Sequence, residues 1–535
     1  MVAFDLSGFA SRAFGGDRLP DHPLRTQQEA AAAMKQLEGE PGDSALAQIT
    51  YYVKSMNDTH SFTPGRRAVV LLRLHEASRL YWGELAARYL TSRGKPNEGR
   101  DGDPNVLRAL FDSASEFVTG FGISIDDAAH SKWVQANVGG LAVRKMRWLG
   151  RRLVLAHMLR LPGLPAIWDA LHRLYALAEQ LNAARQPQPV FEAARFPSCA
   201  RQEYIRAALL ELAAPQSLSP REVELAYRMA GRVAAKVRLE RQPGPGRHPL
   251  PAGAPGRLYL DAQNALVGLQ AEEKAQGNPK GADPLYGNDF TVRERVAMVR
   301  HLLQHWGAAP PRRRAQRVAL SASAEILYTF DSIARALPSA EQEAPSAASG
   351  SLSIIDQTGK LQREAMARPS AAFAARVIDA SSGGLGLAVQ GSPAWLKHGT
   401  LVAVRVERNP EWMIATVRRI FAPAEKERRI GLQILSAHPR RFTFQGGDLN
   451  TVWEEAARQE IRSSETSRHG ILLYPEGFAR TRGELLLPAG AAAKNKRLDV
   501  RSRGSLRQVQ LTRIDDDGAQ YDRVAYELLP ASAVA

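Results

Sequence analysis

The period of the apolar residues changes along this 535-residue chain, and that change decides its architecture. Through about the first 240 residues the apolar positions recur at helical spacing. Val70, Leu74, Ala77, Tyr81 and Leu85 form one stripe, and Ile167, Leu171, Leu174, Ala178 and Leu181 form another. Thr63 and Pro64 supply a cap and a first-turn proline, and Ser219 with Glu222 makes a capping box around Pro220, opening a helix expected to run to about Glu240. Residues 242–256 (QPGPGRHPLPAGAPG) cannot hold a helix and read as a linker. One more helix is expected at Val292–Trp306.

From Val318 onward the pattern is that of strands. Val402, Val404 and Val406 alternate with Ala403 and Arg405, Asn409-Pro410 marks a turn, and residues 412–421 read as the returning strand. Further strands are expected at 471–474, 484–487, 506–514 and 521–529, after a helix at 450–461. The last two strands are joined by Asp515-Asp516-Asp517-Gly518, a hairpin signal whose acidic residues lack the alternate spacing of a calcium loop. No fixed repeat runs through the helical part, so an irregular bundle or solenoid is expected there.

Composition narrows the class. A chain 44% hydrophobic and 24% charged is an ordinary globular mix, and no window of about 18 apolar residues exists to cross a bilayer. The N-terminus lacks a basic region followed by an apolar core, and the single cysteine, Cys199, permits no internal disulfide; both point to the cytoplasm. The net charge of +16 favours anionic partners without choosing among nucleotides, nucleic acids and acidic surfaces. The basic stretch from Arg144 to Arg152 reads as an amphipathic helix with a basic outer face, so nucleic acid is not expected as the partner. His301 and His305 lie four apart but no third ligand accompanies them, so no metal is expected. Phosphate-loop, zinc-protease and serine-nucleophile motifs are missing, so the chain reads as a non-enzyme with no cofactor.

Two short motifs stand out against this background. Arg313 and Arg317 form R-x-x-x-R in a run that also holds Arg312 and Arg314, and Asp379, Ser381 and Gly384 form D-x-S-x-x-G between two apolar segments. A planar guanidinium meets a phosphodiester or the O6 and N7 edge of guanine with two donors at once, and a carboxylate accepts from guanine N–H groups. A serine hydroxyl donates or accepts, and a glycine permits positive φ or close approach of a ligand to the backbone. Downstream, Arg429 to Leu435 reads R-I-G-L-Q-I-L. This ordered set resembles the PilZ domain over residues 310–445. The resemblance implies a six-stranded β-barrel that binds cyclic di-GMP through Arg313, Arg317, Asp379, Ser381 and Gly384, with Arg312 and Arg314 as additional candidates. The spacing between the motifs is longer than is usual in that family, with an Ala/Ser/Pro-rich stretch at 338–350 inside an inserted loop at about 338–370 that includes a short strand at 352–355. Arg363 and Arg368 lie nearer the Asp379 turn but have four residues between them.

The expected architecture is therefore multidomain α+β. A helical domain at 1–240 is followed by a linker at 241–257, a helical connector at 258–309, a PilZ-like barrel at 310–445 and a C-terminal β-rich domain or extension at 446–535. The expected function is a cytoplasmic bacterial cyclic di-GMP receptor whose barrel relays binding to the helical region, which engages an unidentified protein partner. The alternatives are a scaffold built on a barrel that does not bind ligand, and a nucleic-acid-binding regulator.

Overall fold

The computed structural model describes residues 21–91, 103–161, 164–191, 197–251, 258–275, 289–311, 316–340, 372–407, 409, 411–424, 426–446, 468–474, 478, 480–502, 505–517 and 520–529. The chain divides into two compact units, Met1–Arg312 and Arg313–Ala535. The helix expected at 450–461 and the strand expected at 352–355 lie outside the described residues.

The first unit is built on α1 (Gln27–Gln36), α2 (Gly42–Asp58), α3 (Pro64–Thr91), α4 (Pro104–Asp126), α5 (Lys132–Met158), α6 (Leu164–Gln180), α7 (Ala200–Leu212), α8 (Pro220–Val233), α9 (Gln263–Ala275) and α10 (Val292–Trp306). Their apolar stripes converge on one core in which Leu74, Leu85, Ile167, Leu171 and Leu174 are all buried. Leu181, the last residue of the α6 stripe, falls past the helix end and is exposed. The capping box at Ser219 and Glu222 is present, but α8 stops at Val233 rather than near Glu240, and Arg238–Glu240 becomes strand β1. With β2 (Arg247–Pro249) and β3 (Tyr259–Asp261) it makes a small sheet in the order β1-β3-β2. Part of the proline-rich stretch is thus structured, and its His248 is buried with its ring against the Trp306 carbonyl, 3.1 Å away.

The basic stretch on α5 does not form an outer face. Arg144 is buried and donates to the Gly140 carbonyl, Arg147 donates twice at 2.6 Å to the buried Glu203, and Arg151 reaches the buried Glu224 at 2.9 Å. Burial alone would raise the Glu224 carboxyl, but Arg151 and Arg228 overcome it and hold its pKa down at about 2. These arginines fasten α5 to α7 and α8; their partners lie far along the chain, so the local pattern reads as solvated. His301, for its part, meets the Ala213 carbonyl and stacks on His305.

The second unit consists of two closed antiparallel barrels. The first comprises β4 (Val318–Leu327), β5 (Phe373–Ser381), β6 (Gly384–Gln390), β7 (Leu401–Val406), β8 (Met413–Ala424) and β9 (Glu427–Ser436), in the order β4-β5-β6-β9-β8-β7. The second comprises β10 (Arg440–Gly446), β11 (Arg468–Leu472), β12 (Arg482–Pro488), β13 (Arg497–Ser502), β14 (Ser505–Asp517) and β15 (Tyr521–Leu528), in the order β10-β11-β12-β15-β14-β13. Numbered from its own first strand, each barrel runs 1-2-3-6-5-4, so the topology is used twice. The second barrel takes its first strand from Arg440, inside the stretch that the sequence assigns to the first.

Alternation fills each barrel, since successive side chains on a strand point to opposite faces. In the first, Leu385, Leu387 and Val389 of β6 meet Val402, Val404 and Val406 of β7 inside. The other face of β7 is covered as well. Leu401 and Ala403 pack with Leu327, Trp412 and Ile414, with Ile333 and Leu337 at and just past helix α11 (Phe330–Ala336), and with Ile471, Leu486 and Tyr521 of the second barrel. Each large side chain buried in such a cluster contributes about 1.5–3 kcal/mol. Gln520 adds polar links, accepting from Leu401 N–H at 3.2 Å and donating to the Tyr328 carbonyl at 3.4 Å. Past α11, the backbone exchanges hydrogen bonds with β10 through Ala340 and Pro338, and Ala340 is buried in the second barrel's core.

Candidate functional site

The site is assembled on the outside of the first barrel, around β6. Its sequence, G-L-G-L-A-V-Q, sends Leu385, Leu387 and Val389 inward and leaves Gly384, Gly386 and Ala388 on the outside, so no side chain longer than a methyl group rises from three successive outward positions. Pairing carries the bareness onto the neighbouring strand. Asp379 stands opposite Gly386, Gly386 opposite Gly431, and Gly431 opposite Arg419, forming one row across β5, β6, β9 and β8. With strands about 4.8 Å apart, the row is about 14 Å wide.

The rims of this shelf are polar and mostly cationic. Arg317, just before β4, pairs with Asp379 across 62 residues of sequence, and the pair lies over Gly386. A Cβ at Gly386 would lie 2.5 Å from the Asp379 carboxylate and 3.1 Å from the Arg317 guanidinium. At the other rim the Arg419 side chain crosses Gly431, where a Cβ would lie 3.3 Å from the arginine Cβ. Exposed Arg376 and Arg429 lie on the same outer face, and Arg418 donates at 2.8 Å to Gln433. Bulges in β5 at Val377–Asp379 and in β8 at Val417–Arg419 set which side chains face out here. Such a surface suits a flat, polyanionic ligand: peptide planes as floor, guanidinium groups on both sides, and one carboxylate acceptor.

The residues singled out from sequence fall into three groups. Arg317 and Asp379 are in contact. Ser381 and Gly384 close the β5–β6 turn, where the Ser381 hydroxyl donates to the Gly384 carbonyl at 3.3 Å. Gly384 does not take positive φ; a Cβ there would lie 2.5 Å from the Leu432 carbonyl oxygen, so its role is to let β9 approach β6. Arg312, Arg313, Arg314, Arg363 and Arg368 lie outside the described residues. Arg376, Arg419, Arg429 and Gln433 escaped the sequence reading. The available signal was the pair of strands G-L-G-L-A-V and R-I-G-L-Q, whose glycines only become neighbours once the register is known.

Two family models match the chain: the N-terminal domain of the cyclic-di-GMP receptor FimW over residues 28–244, and the middle PilZ domain of the same receptor over residues 329–440. Together they cover more than half of the sequence. The chain belongs to the FimW cyclic-di-GMP receptor family. No curated protein matches it. The first match lies within the helical unit, and the second takes in β5 to β9 with the Asp379 turn and the glycine floor, while Arg317 and β4 precede it. The family is one of receptors, and no helix among the described residues is long and apolar enough to cross a membrane.

Proposed function

We propose that the shelf on the first barrel is where this receptor holds cyclic di-GMP, and that Arg317 and Asp379 exchange partners when it binds. The observation that carries the reading is the Arg317–Asp379 pair poised over a floor without side chains. A guanine lies flat on the Gly386–Gly431 backbone, and its N–H edge takes over the Asp379 carboxylate. Arg317 is thereby released to the phosphodiester or to the O6 and N7 edge, joined by Arg313. Arg419 and Arg429 meet the ligand's negative charge from the far rim. The partly buried carboxylate and guanidinium neutralise one another beforehand, so neither is left unpaired without ligand.

Relay follows from connectivity. Arg317 lies in the segment that links α10, ending at Trp306, to β4, beginning at Val318. Fixing that segment on the ligand restricts the arrangements open to the helical unit, which passes the change to a protein partner. Titration calorimetry tests the site: Arg317→Ala and Arg313→Ala each weaken binding by more than tenfold, about 1.5–3 kcal/mol, with the fold retained. Wild-type affinity in both variants refutes the arginine assignment. Hydrogen exchange across 300–320 tests the relay, which is refuted if saturating ligand leaves protection there unchanged.

A further inference from the structure

A second group of cations, in the helical unit, has no part in the barrel site. Between α4, α5 and α6 lies a cleft of about 320 Å³, at the lower end of the range for small-molecule pockets. Its walls are apolar, formed by Val118, Ile123, Leu149 and Ile167, and two cations line it, Lys145 and Arg152 of α5. Thr119 and Asp126 complete the polar lining.

Arg152 is half-buried, its guanidinium lies over the Phe111 ring at 5.4 Å, and its Nε is buried with no hydrogen-bond partner. Among the described residues no carboxylate lies within ion-pair distance of Arg152 or Lys145, whereas Arg147, Arg151 and Arg228 of the same unit each have one. Lys145 folds its ammonium against the α4 backbone at Gly122, where a Cβ would lie 2.7 Å from Nζ. Burial pushes the Lys145 pKa down, Asp126 draws it back up, and Arg173 on α6 lowers it further. A half-buried guanidinium with one buried donor unmet, on the wall of a largely apolar cleft and with no carboxylate beside it, is costly unless an anion offsets its charge.

We propose that this cleft is a second ligand site, which takes a small molecule carrying one phosphate or carboxylate group on an apolar body, the acid group held by Lys145 and Arg152. The apolar walls accept a single ring or short chain. The volume is too small to enclose a whole cyclic dinucleotide, so the site is independent of the barrel.

The full-length protein is treated with an amine-acylating reagent, and the rate of Lys145 modification is followed by peptide mass spectrometry. Phenyl phosphate and benzoate at about 10 mM are the two probes, with potassium chloride at matched ionic strength as the control. At least fivefold slowing by one of the probes, absent with chloride, supports the site, and which probe protects identifies the acid group. Arg152→Gln removes that protection. Ala166→Phe, at an exposed position on the mouth of the cleft, removes it as well and leaves the arginine in place. Equal slowing by chloride, no slowing by either probe, or full protection retained in both variants overturns the proposal.

Discussion

The two barrels share a strand order and differ in what they put on the same strand. The third strand of the first barrel, β6, turns Gly384, Gly386 and Ala388 outward; the third strand of the second, β12, turns out Arg482, Glu484 and Leu486. The sixth strands differ in the same way. Opposite β6 stand Gln433, Gly431 and Arg429, and opposite β12, in the matching register, stand Glu527, Ala525 and Arg523. In the second barrel the positions are spent on each other. Arg482 pairs with Glu527 and Arg523 with Glu484, while Leu486 is buried against the first barrel. A closed barrel therefore supplies only the frame; three outward residues on one strand decide whether its face is bare backbone beneath neighbouring side chains or carries ion pairs and a docked neighbour of its own.

Copying the second barrel into the first gives the largest expected effect. Gly386→Glu places on β6 what β12 carries as Glu484, filling the floor and setting a carboxylate against the ligand's phosphates. Cyclic di-GMP affinity falls at least a thousandfold, about 4 kcal/mol, in titration calorimetry, with circular dichroism unchanged. Affinity within tenfold of wild type breaks the comparison. The reverse change, Glu484→Gly, creates no binding site, because among the described residues the second barrel brings no counterpart of the Arg317–Asp379 pair to that strand.

The second expected effect is on stability. Leu486 occupies the position that Ala388 holds in the first barrel, and it is buried between the two. Leu486→Ala costs about 2–4 kcal/mol in denaturant unfolding of the full chain. Ala388→Leu at the matching position changes stability by less and obstructs the ligand. If Leu486→Ala proves neutral, the apolar contact between barrels does not hold them together.

The smallest effect belongs to the surface pairs. Glu484→Gln and Glu527→Gln each cost less than about 1 kcal/mol, since Arg482 is exposed, Arg523 keeps part of its side chain in water, and the amide oxygen still accepts from either guanidinium. Cyclic di-GMP affinity is unchanged in both, which separates sealing the face from building the site.

The two levels of organisation were unequally legible. The switch from helical to strand period was plain in the sequence, because apolar alternation and spacing are local properties. The Asp379 motif was legible for the same reason, and Arg317 with it. Arg419 was not, because its facing depends on a bulge in β8 that shifts the register and leaves no mark in the pattern, and Arg429, which follows plain alternation on β9, is placed beside β6 only by long-range pairing. The arginines of α5 misled in the opposite sense: Arg147 and Arg151 look solvated on a helical wheel, yet their partners Glu203 and Glu224 sit 56 and 73 residues later. Helix α11 escaped too, being short, and its Thr329 cap, which accepts from Ser332 N–H at 3.2 Å, lies inside what reads as a strand-to-loop transition.

Helix α11 has a mechanical consequence. Phe330, Ile333 and Leu337, at the helix and just past it, are packed into a cluster that draws on both barrels, and Gln520 ties the second barrel's last hairpin to β7 and to Tyr328 just before the helix. Interiors packed in this way transmit displacement instead of absorbing it. A rotation of the first barrel swings the second with it, as a rigid lever swings its far end. The outer face of the second barrel then sweeps through a longer arc than any atom of the shelf, so a small displacement of the shelf arrives at that face enlarged.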